Sequence, residues 1–363
     1  MNYWKPAYKI STRCATALMQ IESMRVELEH TAIPPLVEAE LRRKARVRST
    51  HFSTSIEGNR LTLEEAENVI EGRERQVRQR ERDVNEVKNY WSARVRLEEW
   101  AVQGRRISEK LVQQLHGMAM RGKRGAASSY RKGQNAIRDS GSGTLVYLPP
   151  EAHDVAPLMA GLIEWINSAI AGEVPVPVVA GLAHYQFVTI HPYYDGNGRT
   201  ARLLATFILQ RYNYGLGGFL SVEEFHARDL AGYYAALAVH PHHNYYMGRE
   251  TADLSGWIEY FVMALAAAYQ MVQKELKQLV TRGVDQESDL LRRLDRRARI
   301  VLGLFGRQNE ITTRDVAAAL GLSERMARIL IKDWLEEGWL VMVDTSRKAR
   351  AYGLSATYRQ FVR

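Results

Sequence analysis

Apolar residues recur at every third or fourth position along most of this chain, a spacing that predicts a mainly α-helical protein. The clearest run extends from Val178 to Ile190 and predicts a buried helix. Pro192 prevents this helix from continuing, and a second helical run begins near Thr200. A loop therefore joins two helices at this point. Further helices are predicted at residues 61–72 and 83–100.

Strand-like runs are few and short in this sequence. Residues 130–137 and 140–150 surround a turn of glycine and serine, a pattern that predicts a small β-hairpin. The hairpin precedes the loop at Pro192 in the chain. An ordinary surface hairpin would have the same pattern.

The segment after residue 291 has a different character, because basic residues outnumber acidic ones there and supply most of the net charge of +9. Helical runs lie at 297–305, 312–323 and 324–335. Strand-like runs follow at 339–343 and 351–354, with a basic turn at 347–350 between them. This order resembles a winged helix-turn-helix domain. Arg325, Arg328 and Lys332 fall on the exposed side of its third helix, where DNA-binding domains place their contacts. Protein-contact modules share the pattern, so both kinds of partner stay open.

The loop after Ile190 concentrates side chains suited to chemistry on a nucleotide. It reads His191-Pro192-Tyr193-Tyr194-Asp195-Gly196-Asn197-Gly198-Arg199-Thr200-Ala201-Arg202. The glycines beside Asn197 allow an anion to approach the unpaired N–H groups at the start of a helix. Arg199 and Arg202 share one face of the first turn and can bind phosphate. Asp195 can bind the Mg²⁺ that accompanies a polyphosphate, and His191 can act as a general base.

This run resembles the signature of the Fic family, His-x-Phe-x-(Asp/Glu)-Gly-Asn-Gly-Arg-x-x-Arg. Every polar position matches, and Tyr193 replaces the usual phenylalanine. The resemblance implies a Fic-type helical bundle that transfers AMP from ATP, with Mg²⁺, to a Ser, Thr or Tyr hydroxyl of a target protein, the protein itself included. It also implies that the hairpin is a flap, which pairs with the target over the active site.

The same resemblance implies a role for each residue of the site. His191 would be the catalytic base and Asp195 the metal ligand. Nucleotide binding would fall to Gly196, Asn197, Gly198, Arg199, Arg202 and, from a helix at 229–237, Tyr233.

A second motif lies far upstream, at Ser53-Thr54-Ser55-Ile56-Glu57-Gly58. It resembles the inhibitory motif of Fic proteins, (Ser/Thr)-x-x-x-Glu-(Gly/Asn). On a helix Ser53 and Glu57 face the same side, and Gly58 is a suitable helix stop. The resemblance implies that Glu57 pairs with Arg202, takes the charge partner of the γ-phosphate and makes ATP bind unproductively. The alternative is an ordinary helix end with a solvated glutamate.

Composition and length set the wider expectations. The chain has 363 residues and one cysteine, which excludes an internal disulfide. We find no long apolar run for a membrane span and no signal-peptide core at the start, so we expect a cytoplasmic protein. We divide it into an N-terminal helical region with the inhibitory motif, a Fic core and a winged helix-turn-helix domain, at residues 1–110, 111–285 and 286–363.

Three functions stay open from the sequence. The first is the autoinhibited adenylyltransferase, for which the family also suggests a homodimer. The second is a DNA-binding regulator in which the Fic part only senses nucleotide, although binding alone would need neither His191 nor Asp195. The third keeps the enzyme but changes the nucleotide or reverses the reaction, with Glu57 activating a water that removes AMP.

Overall fold

The structure is a computed structural model that describes residues 4–31, 33, 35–73, 80–122, 125–138, 141–285, 294–306, 308–344 and 350–359. Helices make up most of it, which confirms the mainly α-helical fold class. The chain divides into two compact units, Met1–His30 with Lys44–Val272 and Thr31–Arg43 with Gln273–Arg363. The three-part division drawn from the sequence stays a prediction.

The elements follow one another in a simple order. The helices are α1 (Thr12–His30), α2 (Pro35–Ile56), α3 (Leu63–Ile70), α4 (Glu81–Val102), α5 (Glu109–Arg121), α6 (Val155–Ala171), α7 (Val176–Ile190), α8 (Asn197–Arg211), α9 (Glu223–Arg228), α10 (Leu230–Leu237), α11 (Ser255–Asp285), α12 (Arg296–Leu302), α13 (Thr313–Leu320) and α14 (Glu324–Glu336). The strands are β1 (Ile137–Arg138), β2 (Leu145–Tyr147), β3 (Ile311–Thr312), β4 (Leu340–Asp344) and β5 (Ala351–Leu354). Within the described ranges, no helix has both the length and the apolar character that crossing a membrane requires.

Local sequence signals set several helix ends. Helix α2 ends at Ile56, and Gly58 follows with a φ of +88°, a left-handed conformation that glycine adopts without a Cβ penalty. Helix α3 begins with a capping box: the Thr62 hydroxyl accepts from the Glu65 N–H at 3.2 Å, and the Glu65 carboxylate accepts from the Thr62 N–H at 2.9 Å. Ser53 to Gly58, the segment predicted to be inhibitory, therefore spans the end of α2.

Helices α7 and α8 form the centre of the first unit. Nearly every residue of α7 is buried, as expected for its almost continuous apolar sequence. Helix α8 packs against α7, α4 and α5. Because both helices are held on several sides, the loop between them, residues 191–196, starts and ends at fixed points.

The predicted hairpin is present in the first unit as the antiparallel pair of β1 and β2. Ile137 pairs with Tyr147, and the register shifts by a bulge before Arg138 meets Leu145. Residues 139 and 140 of its turn lie outside the described residues. The Tyr147 hydroxyl donates to the Thr189 carbonyl at 2.7 Å, which attaches β2 to the last turn of α7.

The second unit has its own apolar core around Trp334 and Trp339. Helices α12 to α14 surround this core with a sheet of order β3-β5-β4. Gly321, in a left-handed conformation, ends α13, and the Ser323 hydroxyl caps α14. The basic turn predicted at 347–350 lies outside the described residues apart from Arg350.

Candidate active site

His191 occupies a strained position directly after helix α7. Its φ of 52° and ψ of 59° place it in the left-handed region, and its N–H still donates to the Phe187 carbonyl at 3.0 Å. Nδ1 lies 3.2 Å from the Val188 carbonyl. A carbonyl only accepts, so Nδ1 carries the ring proton and Nε2 keeps a free lone pair. Burial lowers the pKa of His191 to about 4, so the ring is neutral at neutral pH and suited to act as a base.

The loop that follows is held by the side chain of Asn197. Its Oδ1 accepts from the Tyr193 N–H at 3.0 Å, and its Nδ2 donates to the Tyr193 carbonyl at 2.8 Å. Gly196 has a φ of +76°, which the turn into α8 requires. The Asn197 side chain therefore holds the loop in shape, because both of its polar atoms bond to the backbone of Tyr193.

The first turn of α8 is the candidate anion site. Its leading N–H groups have no acceptor within the helix, and the helix dipole favours negative charge there. Gly198 has no side chain, so the carboxylate of Glu57 can lie against the backbone at this point. A Cβ on Gly198 would clash with Oε1 of Glu57. A protein carboxylate thus lies beside the turn that was predicted to bind phosphate.

Arg202 holds that carboxylate in place. Its Nη2 lies 2.8 Å from Oε1 of Glu57, its Nε donates to the Ser53 hydroxyl at 2.8 Å, and Nη2 also donates to the Ser53 carbonyl at 2.9 Å. The Arg202 side chain is buried, with 2% exposed, whereas 28% of the Glu57 side chain is exposed. The last turn of α2 therefore supplies a hydroxyl, and the residue directly after the helix supplies a carboxylate, to one buried guanidinium.

Arg199 lies on the same turn, beside Asp195. Nη2 of Arg199 is 3.2 Å and 3.3 Å from the two carboxylate oxygens of Asp195. The Asp195 side chain is 60% exposed, and its Oδ1 also accepts from the Gly196 N–H at 2.6 Å. The solvent-exposed part of the Asp195 carboxylate is accessible to a ligand.

The two adjacent tyrosines of α10 have different surroundings. Tyr233, predicted to bind nucleotide, is 2% exposed and lies among His184, His226 and Trp257, with its hydroxyl 3.2 Å from Nε2 of His184. Tyr234 is 50% exposed, and its hydroxyl donates to the Ile56 carbonyl, next to Glu57. In this arrangement Tyr234, rather than Tyr233, is open to a ligand.

Two residues of the site carried no signal in the sequence motif. His116 of α5 stacks on Tyr193 with ring centroids 3.6 Å apart, and its Nε2 donates to the Asp195 carbonyl at 2.9 Å. Arg131 donates through Nε to the His191 carbonyl at 3.0 Å. Both act on the backbone of the loop from elements distant in sequence, so only the fold reveals them.

Comparison with known proteins shows what this chain is similar to. The sequence model of the Fic/DOC family matches residues 106–209. The chain is 31% identical over 218 residues to protein adenylyltransferase Fic of Drosophila virilis, a match that covers 59% of this chain and 43% of that protein. For the same protein of Drosophila willistoni the identity is 29%, with 59% and 42% covered. The chain thus spans less than half of the length of these curated relatives.

A solved structure extends the likeness to nearly the whole chain. The crystal structure of a Fic family protein from Desulfovibrio desulfuricans G20 is 26% identical, has a TM-score of 0.60, and is matched over 97% of this chain and 99% of that one. The signature loop and the helices that hold it are consistent with these likenesses to Fic proteins. This chain carries a Fic domain, which the family match places at residues 106–209.

Proposed function

We propose that this protein is an autoinhibited adenylyltransferase, which moves AMP from ATP to a hydroxyl side chain of a protein. One observation carries the proposal. His191 and the first turn of α8 flank one short loop, and the carboxylate of Glu57 lies against Gly198 of that turn and 2.8 Å from Nη2 of Arg202.

The residues of the loop suit each part of the transfer. Nε2 of His191 takes the proton of the acceptor hydroxyl, and the resulting oxygen attacks the α-phosphorus. The bond to the bridging oxygen breaks, and pyrophosphate leaves with the electron pair. The N–H groups at the start of α8 stabilise the phosphate charge, together with Arg199 and Arg202. Such positioned donors contribute most of the catalysis in phosphoryl-type transfer.

Asp195 fits the Mg²⁺ that ATP brings. Among the described residues no group of three or more His, Cys, Asp or Glu side chains can hold a metal ion, so a metal here needs ligands from the nucleotide. Mg²⁺ prefers such sites, with one or two carboxylates and phosphate oxygens. The exposed carboxylate of Asp195 would hold the ion, which neutralises phosphate charge when bound.

Glu57 supports the inhibitory part of the proposal. Its carboxylate satisfies Arg202 and lies on Gly198, so the terminal phosphate of ATP must displace it to gain the same partners. Until that happens, the nucleotide lacks the contact that orders its phosphates for attack.

The test uses ATP labelled at the α-phosphate. Wild type, Glu57→Gly and the double variant Glu57→Gly with His191→Ala are incubated with Mg²⁺, and label on the protein itself is measured. We expect label on Glu57→Gly, little on wild type and none on the double variant. Equal label on all three variants would contradict the role of His191, and absence of label on all three would contradict AMP transfer.

Two matched reactions separate the remaining enzymatic alternatives. UTP labelled at the α-phosphate tests whether another nucleotide is transferred. Protein that Glu57→Gly has already labelled is then given to wild type, and loss of label would identify removal of AMP with Glu57 activating the water. Retention of label leaves transfer as the reaction.

A second function is favoured by the surface of the second unit. On α14 the residues Ala327, Ile331 and Trp334 are buried, whereas Arg325, Arg328 and Lys332 are exposed. Helix α13, the turn at Gly321 and α14 follow one another as in a helix-turn-helix. This arrangement supports a winged helix-turn-helix that binds double-stranded DNA.

Fluorescence anisotropy with labelled duplexes tests this second function on the full chain. Arg325, Arg328 and Lys332 are changed to alanine together. If each contacts a phosphate, the slope of log affinity against log salt falls by about 0.9 per residue. An unchanged slope, or affinity that does not differ among sequences, would contradict specific DNA binding.

A further inference from the structure

Arg131 connects the hairpin to the catalytic loop, and the signature motif does not include it. It precedes β1 by a few residues and is only 3% exposed. Its guanidinium donates to three backbone carbonyls in three separate segments. Nε donates to His191 at 3.0 Å, Nη1 donates to Gly133 at 3.0 Å, and Nη2 donates to Pro150.

The geometry of a guanidinium explains why arginine occupies this position. Its five N–H donors lie in one rigid plane, so carbonyls from several directions are fixed relative to one another. Nη1 adds the side-chain oxygen of Gln134 at 3.1 Å. Gly133 and Pro150 lie before β1 and after β2, so Arg131 closes the base of the hairpin while it holds His191.

Further hydrogen bonds join the same two segments. The backbone N–H of Arg131 donates to the Pro192 carbonyl at 2.9 Å. The Gly133 N–H donates to the Tyr194 hydroxyl at 2.9 Å, and Nδ2 of Asn135 lies 3.3 Å from the Tyr193 carbonyl. Every residue from His191 to Tyr194 is thus bonded to the chain that enters the hairpin.

The conformation of His191 makes this support consequential. A left-handed backbone at a residue other than glycine costs about 1–3 kcal/mol and persists only where the surroundings impose it. The Arg131 guanidinium bonds to the carbonyl of that same residue. Loosening the hairpin base would therefore release the catalytic ring as well.

We infer that Arg131 is a positioning residue, which couples the hairpin to the placement of His191. The inference rests on the proposed function, in which His191 takes the proton of the target hydroxyl, and on the predicted pairing of the target with the hairpin. A target strand that pairs with the hairpin thereby also fixes the position of His191, the catalytic base. Arg131 touches neither substrate nor nucleotide in this role, so its loss changes turnover and leaves nucleotide affinity intact.

Hydrogen–deuterium exchange tests the coupling without any activity. Full-length wild type, Arg131→Lys, Arg131→Gln and the control Arg105→Gln are compared. Arg105 is half-buried, and its partners are Trp100 and Gln114. We expect faster exchange in Arg131→Gln at both 145–148 and 191–197, an intermediate effect in Arg131→Lys, and no change there in the control. Faster exchange at the hairpin alone would overturn the coupling.

Kinetics in the Glu57→Gly background provide the second measurement. A catalytic group misplaced by about 1 Å loses about 10²-fold in rate, so we expect kcat of Arg131→Gln to fall by about 10²-fold while KM for ATP changes less than about twofold. Arg131→Lys should recover part of that loss. A rise in KM for ATP with kcat unchanged would overturn the positioning role. If the Glu57→Gly parent transfers no AMP, the proposed function fails, whereas the exchange result still decides the coupling.

Tyr194→Phe keeps the test decisive if Arg131→Gln does not fold. Tyr194 is exposed, and this change removes only the acceptor of the Gly133 N–H. We expect faster exchange at both 133–138 and 191–197. Faster exchange at only one of these segments, or at neither, would contradict the coupling.

Discussion

The charge of Glu57, rather than its bulk, should determine the strength of the inhibition, and Glu57→Gln tests this directly. Glutamine keeps the size of the side chain and an oxygen that can accept from Arg202, but it removes the negative charge. In the structure Nη2 of Arg202 and Oε1 of Glu57 are 2.8 Å apart. A hydrogen bond between charged groups contributes about 1.5–3 kcal/mol, and each 1.4 kcal/mol corresponds to about a tenfold change in an equilibrium.

These magnitudes define the expected result. Losing the charge makes displacement of residue 57 by ATP about tenfold easier, and removing the side chain in Glu57→Gly makes it about 100-fold easier. The assay is the initial rate of label transfer from α-labelled ATP at one subsaturating ATP concentration. The rate should be lowest for wild type, higher for Glu57→Gln and highest for Glu57→Gly. A Glu57→Gln variant as inactive as wild type, beside an active Glu57→Gly, would show that occupied space and not charge is responsible.

Three further predictions follow from the same site. Because the pKa of His191 is about 4 and the neutral ring is the base, the rate of the activated variant should stay level from neutral pH down to about pH 5 and fall below it; a midpoint near 6.5 in the pH–rate profile would contradict this. Gly196→Ala places a Cβ against a methionine sulfur at a φ of +76°, so it should lower the melting temperature and abolish transfer together; retained activity would contradict the strain. Tyr233→Phe removes the hydroxyl beside His184 and should lower the free energy of unfolding by about 1 kcal/mol in urea titrations, with KM for ATP unchanged; a large rise in KM would instead support the predicted nucleotide contact of Tyr233.

Local signals in the sequence predicted the parts of the site that depend on neighbouring residues. The apolar run before His191 predicted α7, Pro192 predicted its end, and the glycines beside Asn197 predicted the start of α8. Gly58 likewise marked the end of α2. Each of these features is fixed by backbone preferences within a few positions, which a single sequence carries.

Contacts across long sequence separations could not be predicted in this way. Arg131 reads as one more charged residue before a strand, and its burial follows only from the meeting of the hairpin with α7. The choice between Tyr233 and Tyr234 depends on which face of α10 meets the buried aromatic residues. Asn197 was predicted to bind nucleotide, and the sequence did not reveal that a hydrogen-bonded loop uses both polar atoms of its side chain. Tertiary packing decides each of these cases.

The burial of Arg202 has a consequence for any activated form of the protein. A guanidinium shielded from water needs a counter-charge, and in the resting state Glu57 provides it. Under the proposed function, removing Glu57 should therefore raise activity and lower the free energy of unfolding by about 1–3 kcal/mol in one step. Bound ATP would replace the missing charge and restore the melting temperature. Activated variants should accordingly melt at a lower temperature on their own and at a higher one with nucleotide, so the proposed inhibitory glutamate would also stabilise the protein until substrate binds.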